Sequence, residues 1–214
     1  MTAENMRPIL YPDKILVMPP RLCASVGHYA QAWLYGNYVQ DWEKRFDKRE
    51  KDAHRFTIAD TRGTLQLTVP VAKPESSSCR WADILVSTHG AWWDVHRVAL
   101  ESAYGRTPYF EFYIDRFLPM LTVGVVERYP SLSSLALAWD SEIRRILTLS
   151  PSYSGDRDTE MLERACAASS HIIPEYYQVR ADKLGFIPGL SILDLIFNIG
   201  PEAPLYLHAI ASPV

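Results

Sequence analysis

The sequence predicts a mixed α/β fold in which an N-terminal strand and a β-hairpin form a sheet covered by a helical C-terminal half, and three observations predict it. An apolar run bounded by prolines, residues 9–20, reads as a short extended segment. Phe56 and Ile58 alternate with polar neighbours, and after turn residues at 60–63 the alternation resumes at Leu65, Leu67 and Val69. That period of two is expected of a hairpin over 54–70 with one buried face. From Trp92 onward the period becomes 3.6. A chain of 214 residues can bury a sizeable core without covalent staples, so a single domain over 1–214 is expected.

In chain order, residues 1–8 are polar and expected to fray. Pro12, Pro19 and Pro20 keep the residues before them out of the helical region, which makes 9–20 extended and ends it in a turn. Val26, Tyr29, Ala30, Trp33 and Leu34 then follow the three-four spacing of a one-faced helix, stopped by Gly36. After the hairpin, 74–81 is a loop by composition and 82–88 a further strand. Trp92, Val95, Val98, Ala99 and Ser102 share a helical stripe, and Thr107 before Pro108 has the signature of an N-cap opening a second helix that closes near Pro119. On that helix Tyr109, Phe112, Tyr113 and Phe117 are expected to build the apolar face, with Glu111 and Asp115 opposite. Ser131 caps a third helix, residues 150–158 read as a loop, and a short helix is expected around 159–169. At the C-terminal end Ser191 and Asp194 have capping spacing, and Asn198, Gly200 and Pro201 stop the helix they open.

Composition excludes several functions. With 22 basic against 25 acidic residues the net charge is −3, whereas phosphate-neutralising proteins carry a basic excess, so no nucleic-acid partner is expected. Only Lys44 to Lys51 approaches a basic stripe, and because it includes Asp47 and Glu50 it reads as a solvated face. The three cysteines, Cys23, Cys79 and Cys166, are odd in number and widely spaced, which predicts reduced thiols rather than a disulfide framework or zinc site. His89 and His96 lack a third ligand nearby and no H-E-x-x-H pattern occurs, so no metal is expected. No cofactor is expected either, because the phosphate-loop and dinucleotide glycine patterns are missing. No apolar run approaches the roughly 18 residues of a membrane span, and the N-terminus lacks a signal-peptide core, so a cytoplasmic location is expected.

Two stretches narrow the reading. The first holds Ser102, Ala103, Tyr104, Pro108, Tyr109, Phe110 and Glu111. The second holds Ser191, Ile192, Asp194, Leu195, Phe197, Asn198, Gly200, Pro201, Glu202 and Ala203. Together they resemble the WbqC-like family of bacteria, in which SAY-x-x-x-PYFE and SI-x-DL-x-FN-x-GPEA segments recur in this order. Pro19, Pro20, Gly27, His28 and Tyr29 resemble the family's N-terminal turn and helix, and Asp52 to Arg55 stands where members tend to carry an R-N-R-like triplet. The resemblance implies an anion-binding role for Arg55. It also implies a place in O-antigen or lipopolysaccharide biosynthesis, with transfer of a glycyl, other aminoacyl or acyl group to an amino sugar.

Such a transfer needs a base for the attacking amine and donors for the tetrahedral oxyanion. His28, His96 and Glu111 are the catalytic candidates, and His54, Arg55, Arg97, Glu101, Tyr104 and Tyr109 the substrate-binding ones. Each also has a plainer reading. His96 is a polar helix residue, Arg97 and Glu101 are an i,i+4 surface pair, and Glu111 is solvated. His28 after Gly27 invites comparison with the H-x-G-H signature of nucleotide-activating enzymes, but the first histidine is absent, and capping or packing explains it equally. The expected partners are a nucleotide-linked amino sugar or an activated amino acid. The alternative is a non-catalytic binding or scaffold protein of the same pathway.

Overall fold

The proline-bounded run Ile15–Met18 forms β1, the central strand of a parallel sheet, in the computed structural model, which describes residues 11, 14–74, 76, 78–149, 162–164 and 173–211. Pro19 and Pro20 have no N–H to continue the ladder, so the chain leaves the sheet there. It re-enters as helix α1, Val26–Tyr35, which buries Val26, Tyr29, Ala30, Ala32 and Trp33 and ends at Gly36 in the left-handed conformation with φ 67°. β2, Tyr38–Gln40, then returns parallel to β1, with Leu16 opposite Tyr38.

The hairpin forms as the alternation predicts. β3, Arg55–Asp60, pairs antiparallel with β4, Gly63–Thr68, in a register that sets Phe56 opposite Leu67 and Ile58 opposite Leu65. Residues 82–88 differ from expectation. They make one 3-10 turn, Trp81–Asp83, followed by isolated bridges from Leu85 to Ser131 and from Val86 to Val71. An alternating pattern becomes a strand only where one neighbour runs alongside it, and here each partner belongs to a different segment.

The helical half opens with α2, Trp92–Tyr104, and α3, Phe110–Phe117. Thr107 does not cap α3. Its hydroxyl donates to the Tyr104 carbonyl at 2.7 Å, closing α2, and α3 begins after Tyr109. The buried face of α3 shifts accordingly to Phe110, Ile114 and Phe117, while Phe112 is 75% exposed. α4, Val125–Arg128, leads to α5, Leu132–Ile146, where Ser131 Oγ accepts the Ser134 N–H at 3.1 Å as the sequence predicts. Within the stretch expected to be helical at 159–169, residues Leu162–Arg164 instead form β5, parallel to β1 on the edge opposite β2. This pairing is non-local, and three residues carry no periodicity that announces it. The rest of that stretch, the loop expected at 150–158 and residues 1–8 lie outside the described residues.

After the short helix α6, Ala181–Leu184, comes α7, Ile192–Ile199, in which every residue from Ile192 to Asn198 is buried. It packs against α1, α2, α3 and β3, and also meets α8, Ala203–Ala211. A helix apolar on all sides is a core element, and each fully buried Leu, Ile or Phe contributes about 1.5–3 kcal/mol. Its two polar residues bond to the 176–179 segment, although Asp194 Oδ1 is left without a hydrogen-bond partner among the described residues. Asp194 Oδ2 accepts from Tyr176 Oη at 2.6 Å and Gln178 Nε2 at 2.9 Å, and Asn198 Oδ1 accepts the Val179 N–H at 2.9 Å. The expected capping by Ser191 and Asp194 is therefore not made: Ser191 occupies the N-cap position without a side-chain capping bond, and Asp194 turns to the 176–178 segment.

A candidate anion-binding active site

The chain between β1 and α1 is pinned from two sides. Val26 N–H donates to Leu190 O at 3.2 Å, Ile192 N–H to Ala24 O at 2.8 Å, and Ser191 N–H to Thr57 O at 2.8 Å. These bonds stitch the β1–α1 loop, the segment before α7 and β3 into the floor of a cleft of about 880 Å³. Pro19, the first residue beyond β1, lines it, so the cleft opens at the carboxyl end of the central parallel strand. The chain steps from β1 to β2 on one side while β5 lies on the other, and open α/β sheets bind ligands at such a switch of direction.

His28 stands in the first turn of α1 and lines the cleft, and its Nε2 is buried without a hydrogen-bond partner. Burial, reinforced by the positive charges of Arg21 and Arg144, holds its pKa down at about 3, so the ring is neutral. Arg55, the first residue of β3, reaches the same cleft. Its Nη1 donates to Gln66 Oε1 at 3.2 Å, and its Nε is buried without a partner. Around them the charges are unevenly satisfied. Arg21 lies 3.5 Å from Asp52, Lys44 pairs with Glu50 and Arg49 with Asp47 at 2.7 Å, whereas Arg55 and Lys51 meet no carboxylate among the described residues. The floor also holds Ser191, 2% exposed, and Cys23, a free thiol whose pKa burial pushes well up against the opposing effect of the Ser191 hydroxyl beside it; apart from that thiol the hydroxyl has no partner among the described residues.

Of the candidates read from the sequence, His28 and Arg55 are brought together in the cleft and the others stand elsewhere. His54 extends the hairpin, with Nδ1 3.0 Å from Val69 O. His96 is 2% exposed, its ring edge-on to Phe56 and Trp92 and its Nε2 3.1 Å from Thr68 O. Arg97 pairs with Glu101 at 2.8 Å on the outer face of α2. Tyr104 is buried and its hydroxyl accepts the Ala59 N–H at 3.1 Å. The Tyr109 ring lies against Gly200, and Glu111 is exposed on α3. The sequence reading missed Arg21, Ser25, Lys51 and Ser191. A signal for Lys51 was present in the 44–51 charge run, but nothing local distinguishes a cleft rim from any solvated face.

The buried histidines make stability depend on pH. Burial lowers the His96 pKa to about 4, whereas an unfolded-chain histidine titrates near 6.5. The unfolded state therefore binds more protons between those values. Stability is complete above about pH 6.5 and falls as the pH drops towards 4, by up to about 1.4 kcal/mol per pH unit for each such histidine. Urea midpoints measured from pH 7 to 4.5 are expected to decline on this slope, and His96→Gln is expected to flatten it. An unchanged slope in that variant would contradict the buried neutral ring.

The sequence model of the WbqC-like protein family matches residues 43–168, more than half of the chain. The chain belongs to the WbqC-like protein family. The match includes the segment around Tyr104 and Tyr109 and stops short of the one that forms α7. No curated protein and no solved structure matches the chain. Among the described residues no helix is long and apolar enough to cross a membrane.

Proposed function

We propose that this WbqC-like protein transfers a glycyl, other aminoacyl or acyl group to the amine of a nucleotide-linked amino sugar, in the building of bacterial surface polysaccharide. The observation that carries this reading is a neutral imidazole with an unpartnered Nε2, His28, sharing a polar cleft with Arg55, which meets no carboxylate among the described residues. In the reaction the sugar amine attacks the carbonyl carbon of the activated donor, the C–N bond forms and the bond to the leaving group breaks. His28 Nε2 takes the proton released by the amine and returns it to the leaving group. Arg55 supplies the donor for the oxyanion of the tetrahedral intermediate.

His28 by itself is a weak base, since Arg21 and Arg144 add to the effect of burial. A bound anion beside Arg21 opposes that charge and raises the basicity of the ring as the substrate arrives. The O-antigen setting is supported by the family resemblance, and the chemistry by the cleft. Purified protein incubated with activated glycine or an acyl donor and a UDP- or dTDP-linked amino sugar is expected to yield a sugar nucleotide heavier by one acyl unit, read by mass spectrometry. Absence of product from every donor–acceptor pair, with sugar nucleotide still bound, would replace this reading with a non-catalytic binding protein of the same pathway.

A further inference from the structure

We infer that the floor of the cleft is a phosphate site, in which the diphosphate of a nucleotide-linked ligand sits across the N-terminus of α1 and takes Arg55 and Ser191 as its side-chain donors. The inference deepens the proposed function by naming the part of the acceptor that the protein grips, and it rests on that reading only for the identity of the ligand.

Helix α1 has ten residues, enough to present a positive end. Its N-cap residue Ser25 makes no side-chain capping bond and its first turn holds no acidic residue. Val26 N–H is bonded to Leu190 O, and His28 and Tyr29 N–H to Ser25 O, so among the described residues the Gly27 amide alone of the first four takes no backbone acceptor. A helix end in this state is a ready site for an anion.

The independent sign of a ligand lies opposite. Ser191 is 2% exposed, lines the cleft and has only the weakly bonding Cys23 thiol beside its hydroxyl, and the buried Arg55 Nε has no partner among the described residues. A buried donor left without an acceptor destabilises the fold, and a bound acceptor would recover that loss. Their positions are fixed by the backbone: Ser191 is bridged to Ser25 and donates its N–H to Thr57 O, and Thr57 is two residues from Arg55 on the same face of β3. The hydroxyls of Ser25 and Ser191 and the Arg55 Nε line the cleft with Lys51, which meets no carboxylate among the described residues, and this mix of neutral donors and two cations suits the several oxygens and the multiple charge of a phosphoryl group. The two cleft carboxylates do not compete, since Glu50 faces Lys44 and Asp52 faces Arg21.

The test is calorimetric titration with UDP, inorganic pyrophosphate, uridine and glycine, none of which requires transfer to occur, so a protein that binds but does not turn over would sink the proposed function and leave this site standing. UDP and pyrophosphate are expected to bind and to compete with each other, uridine to bind at least roughly tenfold more weakly, and glycine to displace neither. Arg55→Gln and Ser191→Ala are each expected to weaken UDP and pyrophosphate by roughly tenfold. Ser191→Ala removes a hydroxyl with only a weak partner, so its melting temperature is expected to hold or rise, which separates lost binding from lost folding. The inference is overturned if UDP and pyrophosphate give no heat at millimolar concentration, if both variants bind like the parent, or if glycine displaces pyrophosphate.

Discussion

Asp140→Ala is expected to lose about 3–5 kcal/mol of folding stability, because it strands a buried cation. Asp140 and Arg144 are 2% and 3% exposed. The carboxylate accepts from Arg144 Nε at 2.7 Å, from Tyr29 Oη at 2.8 Å and from Tyr38 Oη. Arg144 also donates from Nη2 to the Tyr38 carbonyl at 2.9 Å and lies 3.6 Å over the Tyr38 ring. Truncating the acid leaves a desolvated guanidinium and two hydroxyls without their acceptor.

The damage reaches the cleft, since Tyr29 belongs to α1 and Tyr38 opens β2, both ring neighbours of His28. Urea denaturation measures the loss, and Arg144→Met is expected to cost a similar amount. The pair Asp140→Ala with Arg144→Met carries no unpaired charge, so it is expected to be more stable than the sum of the two single losses implies by more than about 1 kcal/mol. Single losses below about 1 kcal/mol would mean that water reaches this pair.

This cluster explains why the sequence shows its fold more readily than its site. The hairpin, α1 and α5 announce themselves because their periodicity is local: Phe56, Ile58 and Leu67, or Leu132, Leu135, Trp139 and Ile143, are all buried where spacing puts them. α2 is a helix as expected, but of its expected stripe only Trp92 is buried: Val95, Val98 and Ser102 are exposed, and the helix turns Trp92, His96, Leu100, Ala103 and Tyr104 to the core instead. β5 and the 82–88 segment depend on remote partners, so no local pattern settles them. The aromatic stretch 109–117 offers two apolar stripes, and only the neighbours choose: Phe110 packs 5.1 Å from Phe197 and Phe117 4.9 Å from Trp139, ring centroid to centroid. Asp140 and Arg144 stand four apart on α5, and nothing within their own helix reveals two tyrosines more than a hundred residues away. His28 was legible as a polar residue at a helix start. Ser191 was legible only as a cap, because its role depends on the β1–α1 loop lying beside it.

Gly200→Ala is expected to cost about 3 kcal/mol, the sum of backbone strain and overpacking. Gly200 has φ 51° and ψ −118°, and a Cβ there would stand 2.4 Å from Tyr109 Cγ and 2.5 Å from its Cδ1. These are atoms at the root of the ring, so a change of tilt does not clear them. At roughly 2–4 °C per kcal/mol for a chain of this size, the melting temperature is expected to fall by about 6–12 °C. In a Tyr109→Ala background only the strain remains, so the same substitution is expected to cost at least about 1 kcal/mol less. An equal cost in both backgrounds would assign the effect to the backbone alone, and a neutral Gly200→Ala would sink both parts. The contact bears on function because it joins the two stretches that carry the family resemblance. Tyr109 N–H donates to Phe197 O at 3.1 Å, and the Tyr104 and Phe110 rings both pack on Phe197. The aromatic and glycine positions of those stretches are accounted for by holding α2, α3 and α7 together. Chemistry is therefore to be sought where Ser191, the first residue of the second stretch, leaves that packing and faces His28 and Arg55 across the cleft.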